Sequence, residues 1–351
     1  MKADTPVSRN GVKYRIVSWS NAFRGFYDKG GSKTSNDFVT RMLYSMRSTI
    51  LVISFQAAVI SGLLAYIFKS FSLLNFLLIL LSFVLLHTES NLLNDYFGFR
   101  YGHDSPDSPR RRYTLHPIAD GIVSMGEMVV TLFVISAVLL SIAAYFLLLR
   151  GTGAFILILA GVIFLALYDV SSVSLKMMGL GEISSFVVWG PLMIAGGFYA
   201  ITGTINLSVV LASVPFGLGV MSVLIGKHID QMPFDSKKGI GTLPVRLGEY
   251  WSRAMLLFSM VAMYATVAIS AIFLLLPFTL LLVFINISSL LKSFSVIKKN
   301  RPPEPPPGYV GWPLWYHRQA LLHEKLFGWL YIAGLLLYPL LSNLGIPVHF
   351  F

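Results

Sequence analysis

The sequence AMLLFSMVAMYATVAISAIFLLLPFTLLLVFINISSLL, residues 254–291, runs for 38 positions without a charged side chain. As one helix it would measure roughly 57 Å at about 1.5 Å per residue, whereas the hydrocarbon core of a membrane is about 30 Å thick. The run therefore predicts two consecutive membrane spans, with a tight turn near Pro277. Backbone groups inside a bilayer must be satisfied within the chain, so such a hairpin predicts a bundle of helices.

The composition of the whole chain indicates a membrane protein. Of its 351 residues, 55% are hydrophobic and 12% are charged, whereas soluble domains have about 25% charged residues. The absence of cysteine excludes disulfides, thiolate metal sites and cysteine nucleophiles. An all-α, polytopic membrane bundle of about nine transmembrane helices is predicted, because further apolar runs of span length occur at residues 49–68, 71–87, 129–149, 152–168, 183–201, 207–225 and 327–344.

The basic residues are distributed unevenly between the two sides of this bundle. With nine alternating spans, 25 of the 27 Lys and Arg residues lie on the N-terminal side, and only Lys69 and Arg150 lie on the other. The positive-inside rule then places the N-terminus in the cytoplasm and the C-terminus outside. The positive charge that gives the chain its net charge of +11 lies on the predicted cytoplasmic side. This distribution is typical of loops near anionic lipid and does not indicate nucleic-acid binding. Residues 1–48 are predicted to be a basic cytoplasmic segment, and residues 49–351 the transmembrane domain.

Two acidic segments follow predicted spans on the cytoplasmic side. NLLNDYFGFRYGHDSPDSPRRRY, residues 91–113, follows the second span, and GKHIDQMPFDSKKGIGTLPVRLGE, residues 226–249, follows the sixth. Acids at the edge of a membrane span are costly and therefore candidates for function. Oxygen ligands favour Mg²⁺, which usually shares its shell with phosphate oxygens, and nearby basic residues can bind the same phosphates. We predict a site for Mg²⁺ and a diphosphate; the alternative is that these charges only solvate helix ends.

The first acidic segment resembles the first motif of the UbiA superfamily of intramembrane prenyltransferases. That motif reads Asn-Asp-x-x-Asp with a later Asp, and its counterparts here are Asn94, Asp95 and Asp104. Gly98 stands where the family has a metal-binding Asp. Asn91 and Asp95 form an i, i+4 pair one turn earlier, which is a candidate replacement. The departure leaves open whether the site is weakened or its activity is changed.

The second acidic segment resembles the motif Asp-x-x-x-Asp-x-x-x-Gly-x-x-Thr-Leu of the same superfamily. Asp235 matches the second acid, and later positions match at Gly239, Thr242 and Leu243. Asp230 lies five positions before Asp235, where four is usual. On a helix with 3.6 residues per turn, this spacing turns Asp230 about 140° away from Asp235.

A third segment, YDVSSVSLKMMGLGE at residues 168–182, lies between the two acidic motifs. It is similar to the Tyr…Lys-Tyr-x-Gly-Leu-Gly-Glu segment of the menaquinone-branch, 1,4-dihydroxy-2-naphthoate-type members of the superfamily. Tyr168 and Lys176 occupy the matching places, as do residues 179–182.

The resemblance implies a mechanism in which Mg²⁺ and basic residues stabilise a departing diphosphate, so that the allylic C–O bond ionises. An electron-rich acceptor attacks the carbocation in a cavity that excludes water. The implied catalytic residues are Asp95, Asp235, Tyr168 and Lys176, with Tyr168 facing either the carbocation or the phosphate. The implied metal ligands are Asn91, Asn94, Asp95, Asp104, Asp230 and Asp235. The implied diphosphate-binding residues are Arg47, Arg100, Lys176, Lys227 and Lys238.

Two other functions fit a chain of this kind. A terpene cyclase on the same scaffold would ionise the same diphosphate but close the prenyl chain on itself. A transporter or an inactive lipid-binding protein is the third reading, although transporters usually place polar residues and broken helices at mid-membrane. The charged residues here concentrate at one face. The sequence therefore favours a transferase whose partners are a prenyl diphosphate, a hydrophobic acceptor and membrane lipid.

Overall fold

The computed structural model describes residues 12–27, 37–102, 108–170 and 175–344, and every regular element within these ranges is a helix. The α-helices are α1 Val12–Phe23, α2 Phe38–Ser45, α3 Leu51–Ile67, α4 Leu73–Arg100, α5 Met125–Arg150, α6 Thr152–Leu165, α7 Gly181–Val187, α8 Gly196–Thr202, α9 Leu207–Lys237, α10 Leu243–Ile272, α11 Ile287–Ile297 and α12 Tyr316–Asn343. A π-helical segment, Val188–Ala195, joins α7 to α8, and a 3₁₀ segment, Phe278–Asn286, leads into α11.

The predicted all-α membrane bundle is confirmed, and the number of spans is close to the nine predicted. Within the described ranges, eight helical stretches are long and apolar enough to cross a membrane, and the shorter apolar helix Thr152–Tyr168 corresponds to the fourth predicted span. The eight are Ser48–Ile67, Leu73–Arg100, Met125–Arg150, Gly181–Thr202, Leu207–Lys237, Glu249–Ile272, Phe278–Ile297 and Tyr316–Asn343.

The long apolar run at residues 254–291 forms a helical hairpin with its turn next to Pro277. After α10 ends, Leu274 adopts a positive φ of 54°, and the carbonyl of Ser270 accepts a 2.8 Å hydrogen bond from the backbone N–H of Leu275. Pro277 lacks the N–H that would continue a helix, and it immediately precedes the 3₁₀ segment. That segment and α11 pack back against α10, so the predicted turn is confirmed.

Helices α4 and α9 extend far beyond the apolar runs from which they were predicted. They contain 28 and 31 residues, or roughly 42 Å and 47 Å at about 1.5 Å per residue, and both exceed a bilayer core of about 30 Å. Much of each acidic segment is therefore a continuation of a membrane helix. Its polar side chains project at helical spacing, and this spacing decides which of them face the interior.

Small residues hold α9 close to the helices on both sides of it. A Cβ atom on Gly217 would lie 2.8 Å from the carbonyl oxygen of Phe186 and 3.0 Å from the Cα of Gly190. On the other side, a Cβ atom on Gly226 would lie 2.8 Å from the backbone nitrogen of His317. Small residues at such contacts let membrane helices approach closely. The second acidic segment is thereby fixed between α7 and α12.

The segment before the first span packs against the region between α4 and α5. The Tyr44 hydroxyl lies 2.7 Å from the Thr114 hydroxyl and accepts a 2.9 Å hydrogen bond from the backbone N–H of Leu115. Arg41 forms a 2.8 Å ion pair with Glu127 at the start of α5. These contacts bring the residues that follow α2 next to the C-terminal end of α4.

Candidate active site

A cavity of about 1810 Å³ lies inside the bundle and has two chemically different ends. Its apolar end is lined by side chains that include Ile79 and Phe83 of α4 and Ile142 and Phe146 of α5. Its polar end lies near the C-terminal ends of α4 and α9, where the acidic segments continue these helices. The polar end is lined by Arg47, Asn91, Asn94, Arg110, Tyr168, Lys176, Lys227, Asp235 and Lys238, among others.

Asp95 is completely buried and binds two arginines that line the cavity. The Nη2 atom of Arg110 donates a 2.9 Å hydrogen bond to Oδ2 of Asp95, and Nη1 of Arg110 and Nη2 of Arg47 both donate to Oδ1. Arg47 adopts a left-handed backbone conformation with φ of 57° at the start of the first span. Asp95 therefore positions Arg47 and Arg110 at the polar end and is itself occupied by them.

Asp235 also lies at the polar end, and one of its carboxylate oxygens has no partner among the described residues. The side chain is buried, and its Oδ2 atom forms no hydrogen bond within the part of the chain that the structure describes. Asn91 and Asn94 line the same cavity from α4. A buried carboxylate oxygen that lacks a donor is costly, so Asp235 is suited to a cationic ligand.

Asp230 and Gln231 are neighbours on α9 but have different surroundings. The Asp230 carboxylate accepts hydrogen bonds from the backbone N–H groups of Tyr316 at 3.2 Å and His317 at 2.9 Å, at the start of α12. Gln231 lines the cavity one helical turn before Asp235. Asp230 is not among the cavity-lining residues, and its position does not support the predicted metal-binding role. Gln231 occupies the motif position four residues before Asp235.

The cavity is lined by all three lysines that were predicted to bind diphosphate, Lys176, Lys227 and Lys238. Arg100 does not: it is exposed, and its Nη1 atom donates a 3.1 Å hydrogen bond to the Tyr96 hydroxyl. The structure therefore gives no support to a diphosphate contact from Arg100.

The third sequence segment brings Tyr168 and Lys176 to the N-terminal end of α7. A Cβ atom on Gly181 would lie 3.4 Å from the Tyr168 ring and 3.2 Å from the Cα of Lys176, so both residues pack closely against the start of this helix. Both side chains line the cavity. Asp104, the other acid predicted for the first motif, lies outside the described residues.

Residues 56–312 match the UbiA prenyltransferase family. The chain belongs to this family. It is 31% identical to a 1,4-dihydroxy-2-naphthoate octaprenyltransferase of Escherichia coli (strain K12), over 60% of this chain and 70% of that protein. The corresponding enzyme of Haemophilus influenzae is 32% identical over 53% of this chain and 61% of its own length. These relatives confirm the predicted prenyltransferase class and the resemblance to the menaquinone branch.

A solved structure shows the same fold. A UbiA homolog from Archaeoglobus fulgidus, bound to GPP and Mg²⁺, superposes with a TM-score of 0.55 at 18% identity, over 84% of this chain and 99% of that one. At this level of identity the comparison establishes the architecture of the UbiA bundle. The roles of individual side chains in this chain follow from its own geometry.

The polar end of this UbiA bundle offers a particular set of donors to a divalent metal. No group of three or more His, Asp or Glu side chains suited to a metal occurs in the described ranges. Instead, the unpartnered Oδ2 of Asp235 lies in a cavity whose lining also includes the amides of Asn91, Asn94 and Gln231. Oxygen donors of this kind fit Mg²⁺ when phosphate oxygens complete its shell.

Two cavity-facing features of this UbiA chain were not predicted from its sequence. Gln231 could have been found from its spacing, because it lies four residues before Asp235. The second feature is a buried pair, in which Nδ1 of His228 lies 2.6 Å from Oε1 of Glu182. His228 lines the cavity, and Glu182 belongs to the third motif. Their pairing joins α9 to α7 across 46 positions, and no local sequence pattern signals it.

Proposed function

We propose that this UbiA-family protein transfers a prenyl chain from an allylic prenyl diphosphate to a hydrophobic acceptor, with Mg²⁺ as cofactor. The observation that carries the proposal is one cavity that joins a cluster of basic side chains to an apolar interior. A prenyl diphosphate has the same division, with a charged head and a hydrocarbon tail. The polar end would hold the diphosphate and the apolar end the prenyl chain.

The basic residues at the polar end would orient the diphosphate and stabilise it as it leaves. Arg47 and Arg110 are held in place by Asp95, so their charge is directed before the donor arrives. Guanidinium groups bind phosphate oxygens with charge-assisted hydrogen bonds. Because these donors are already ordered, little reorganisation is needed when negative charge develops on the departing group.

Four oxygen-bearing side chains would hold the metal: Asn91, Asn94, Gln231 and Asp235. Asp104 remains a predicted ligand. When bound, Mg²⁺ would neutralise charge on the diphosphate and lower the barrier to ionisation of the C–O bond. The carboxylate of Asp235 keeps Oδ2 available for this purpose, because no described donor binds it.

The acceptor would be an aromatic, electron-rich compound of the type used in quinone biosynthesis. This part of the proposal draws on the relatives, which are named for 1,4-dihydroxy-2-naphthoate. Tyr168 lies at the polar end and would stabilise the allylic carbocation through its ring. The apolar lining would keep water away from the carbocation until the acceptor attacks.

We also propose that the protein resides in the cytoplasmic membrane, with the polar end of its cavity facing the cytoplasm. The asymmetric distribution of Lys and Arg supports this orientation. Residues 1–48 would form a basic cytoplasmic segment that precedes the transferase domain at residues 49–351. Its described part already contacts that domain, because Arg41 pairs with Glu127.

The decisive experiment incubates the purified protein with a prenyl diphosphate, Mg²⁺ and a dihydroxynaphthoate acceptor, and follows the products by mass spectrometry. We expect a prenylated acceptor that requires all three components and is formed much more slowly by Asp235→Asn. A cyclised hydrocarbon formed without acceptor would instead establish a terpene cyclase. Donor that binds but never loses its diphosphate would identify a lipid-binding protein and refute the proposal.

A further inference from the structure

The most unusual charged group at the polar end is Lys227, which projects into the cavity from the C-terminal third of α9. It forms no hydrogen bond or ion pair with any residue in the described ranges. The charged groups whose fields act on it are Lys176, Arg47 and Arg110, which repel it, and Asp235, which attracts it. A cation inside a membrane protein is costly unless an anion compensates it.

Among the residues that the structure describes, the acids near Lys227 are too few to supply this compensation. Asp95 is already shared by Arg47 and Arg110, and Glu182 is paired with His228. The two motif positions at which a carboxylate is expected carry Gly98 and Gln231 instead. Among the described residues, seven cations but only two carboxylates, those of Glu89 and Asp235, line the cavity, and the carboxylate of Asp95 is buried against Arg47 and Arg110. The seven cations are Arg24, Arg47, Arg110, Lys176, Lys227, Lys238 and Arg318.

This excess of positive charge changes what a metal is needed for. Where carboxylates dominate a site, they repel a diphosphate, and a divalent cation must lie between the two anions. Here the side chains themselves supply the opposite charge. Lys227 contributes a compact ammonium group with three donors that suits a phosphate oxygen.

We propose that Lys227, together with Arg47, Arg110 and Lys176, binds the diphosphate of the donor directly, so that the donor binds to this protein without a divalent cation. The proposal rests on the proposed function and adds a division of labour to it. The basic side chains capture the donor, and Mg²⁺ is required only for the departure of the diphosphate.

The test measures binding and not turnover. Calorimetry follows the titration of the full-length protein in detergent with geranyl S-thiolodiphosphate, once in EDTA and once in Mg²⁺. In this analogue sulfur replaces the oxygen that joins the prenyl chain to the diphosphate, so the leaving group departs slowly. We expect the dissociation constant in EDTA to lie within about tenfold of the value in Mg²⁺, a difference of about 1.4 kcal/mol. Lys227→Met should weaken binding in EDTA by about 10- to 100-fold, the effect of one lost charge-assisted hydrogen bond.

Two further variants separate a specific contact from a general effect of charge. Lys227→Arg should restore most of the affinity in EDTA, because it keeps the cation. Lys292→Met removes an exposed lysine of α11 and should bind as the unchanged protein does. Equal losses in Lys227→Met and Lys292→Met would overturn the role of Lys227.

The comparison of the two buffers also separates this proposal from the proposed function. Binding that appears only with Mg²⁺ would overturn the metal-independent capture while leaving a prenyltransferase intact. An absence of donor binding in both buffers would refute the proposed function itself. Because the unchanged protein gives this comparison, the metal independence of donor binding is decided even if Lys227→Met does not fold.

Discussion

The Asp230 carboxylate of α9 accepts a 2.9 Å hydrogen bond from the backbone N–H of His317, and thereby caps the first turn of α12. A second backbone N–H, that of Tyr316, binds the other oxygen at 3.2 Å. Arg301 lies 3.7 Å from the same carboxylate. An acid that is next to the second motif in sequence therefore connects two membrane helices.

Asp230→Ala should lower the stability of the bundle without changing its response to metal. The substitution leaves two buried amides without an acceptor, at a cost of about 1–3 kcal/mol each. Unfolding in detergent measures the stability, and a titration of activity against Mg²⁺ measures the response. A marked rise in the Mg²⁺ concentration needed for half-maximal activity would show instead that Asp230 is a metal ligand.

The variants Asp95→Asn and Asp235→Asn should change different kinetic constants. Asp235→Asn removes the charge of the proposed metal ligand, so the half-saturating Mg²⁺ concentration should rise and the maximal rate should fall. Asp95→Asn leaves Arg47 and Arg110 less firmly held, so KM for the donor should rise while half-saturating Mg²⁺ stays the same. Steady-state kinetics at varied donor and Mg²⁺ distinguishes them, and identical behaviour of the two variants would contradict the separate roles.

Restoring the missing motif acids should make binding of the donor depend less on the basic side chains and more on Mg²⁺. Gln231→Asp places a carboxylate one turn before Asp235, on the same face of α9. We expect a lower half-saturating Mg²⁺ concentration and weaker donor binding in EDTA. Gly98→Asp is expected to act in the same direction on α4, and Gln231→Asn is the neutral control. An unchanged Mg²⁺ response in both acidic variants would show that neither position contacts the metal.

The close approach of α9 to the span before it predicts a large effect of one methyl group. In Gly217→Ala the new Cβ would lie 2.8 Å from the carbonyl oxygen of Phe186, and such overpacking typically costs about 1–3 kcal/mol. Gly126→Ala on α5 is the matched control, because its Cβ would meet nothing within 4 Å. In thermal unfolding, Gly217→Ala should melt at a lower temperature than Gly126→Ala. Equal melting temperatures of the two variants would contradict the close packing of α9.

The predicted orientation can be tested with reporter fusions. A reporter that is active only in the cytoplasm should be active after Glu249 and silent after Phe351, because the positive-inside rule places these positions on opposite sides. Strong activity of the second fusion would contradict an odd number of spans.

The sequence was most informative where the length of an apolar run or a family motif determines the answer. Apolar run lengths predicted the spans and the turn near Pro277, and the motifs predicted that Asp235, Lys176 and Lys227 would meet in one place. The direction of Asp230 required the exact phase of α9 and the position of α12, which no local pattern contains. The pairing of Glu182 with His228 depends on packing between α7 and α9. Contacts between distant segments were therefore predicted where a family motif marks both partners, and were not predicted where packing alone brings the partners together.

The ion pairs of Asp95 also have a consequence for how the protein is made. Arg47 precedes the first span, Asp95 lies at the end of the second, and Arg110 follows within 15 residues. All three residues are thus synthesised before α5 begins at Met125. The ion pairs that join the first two spans can therefore form during membrane insertion, before the remaining helices leave the ribosome. The two arginines proposed to bind the substrate then already share one buried carboxylate while the rest of the bundle assembles around them.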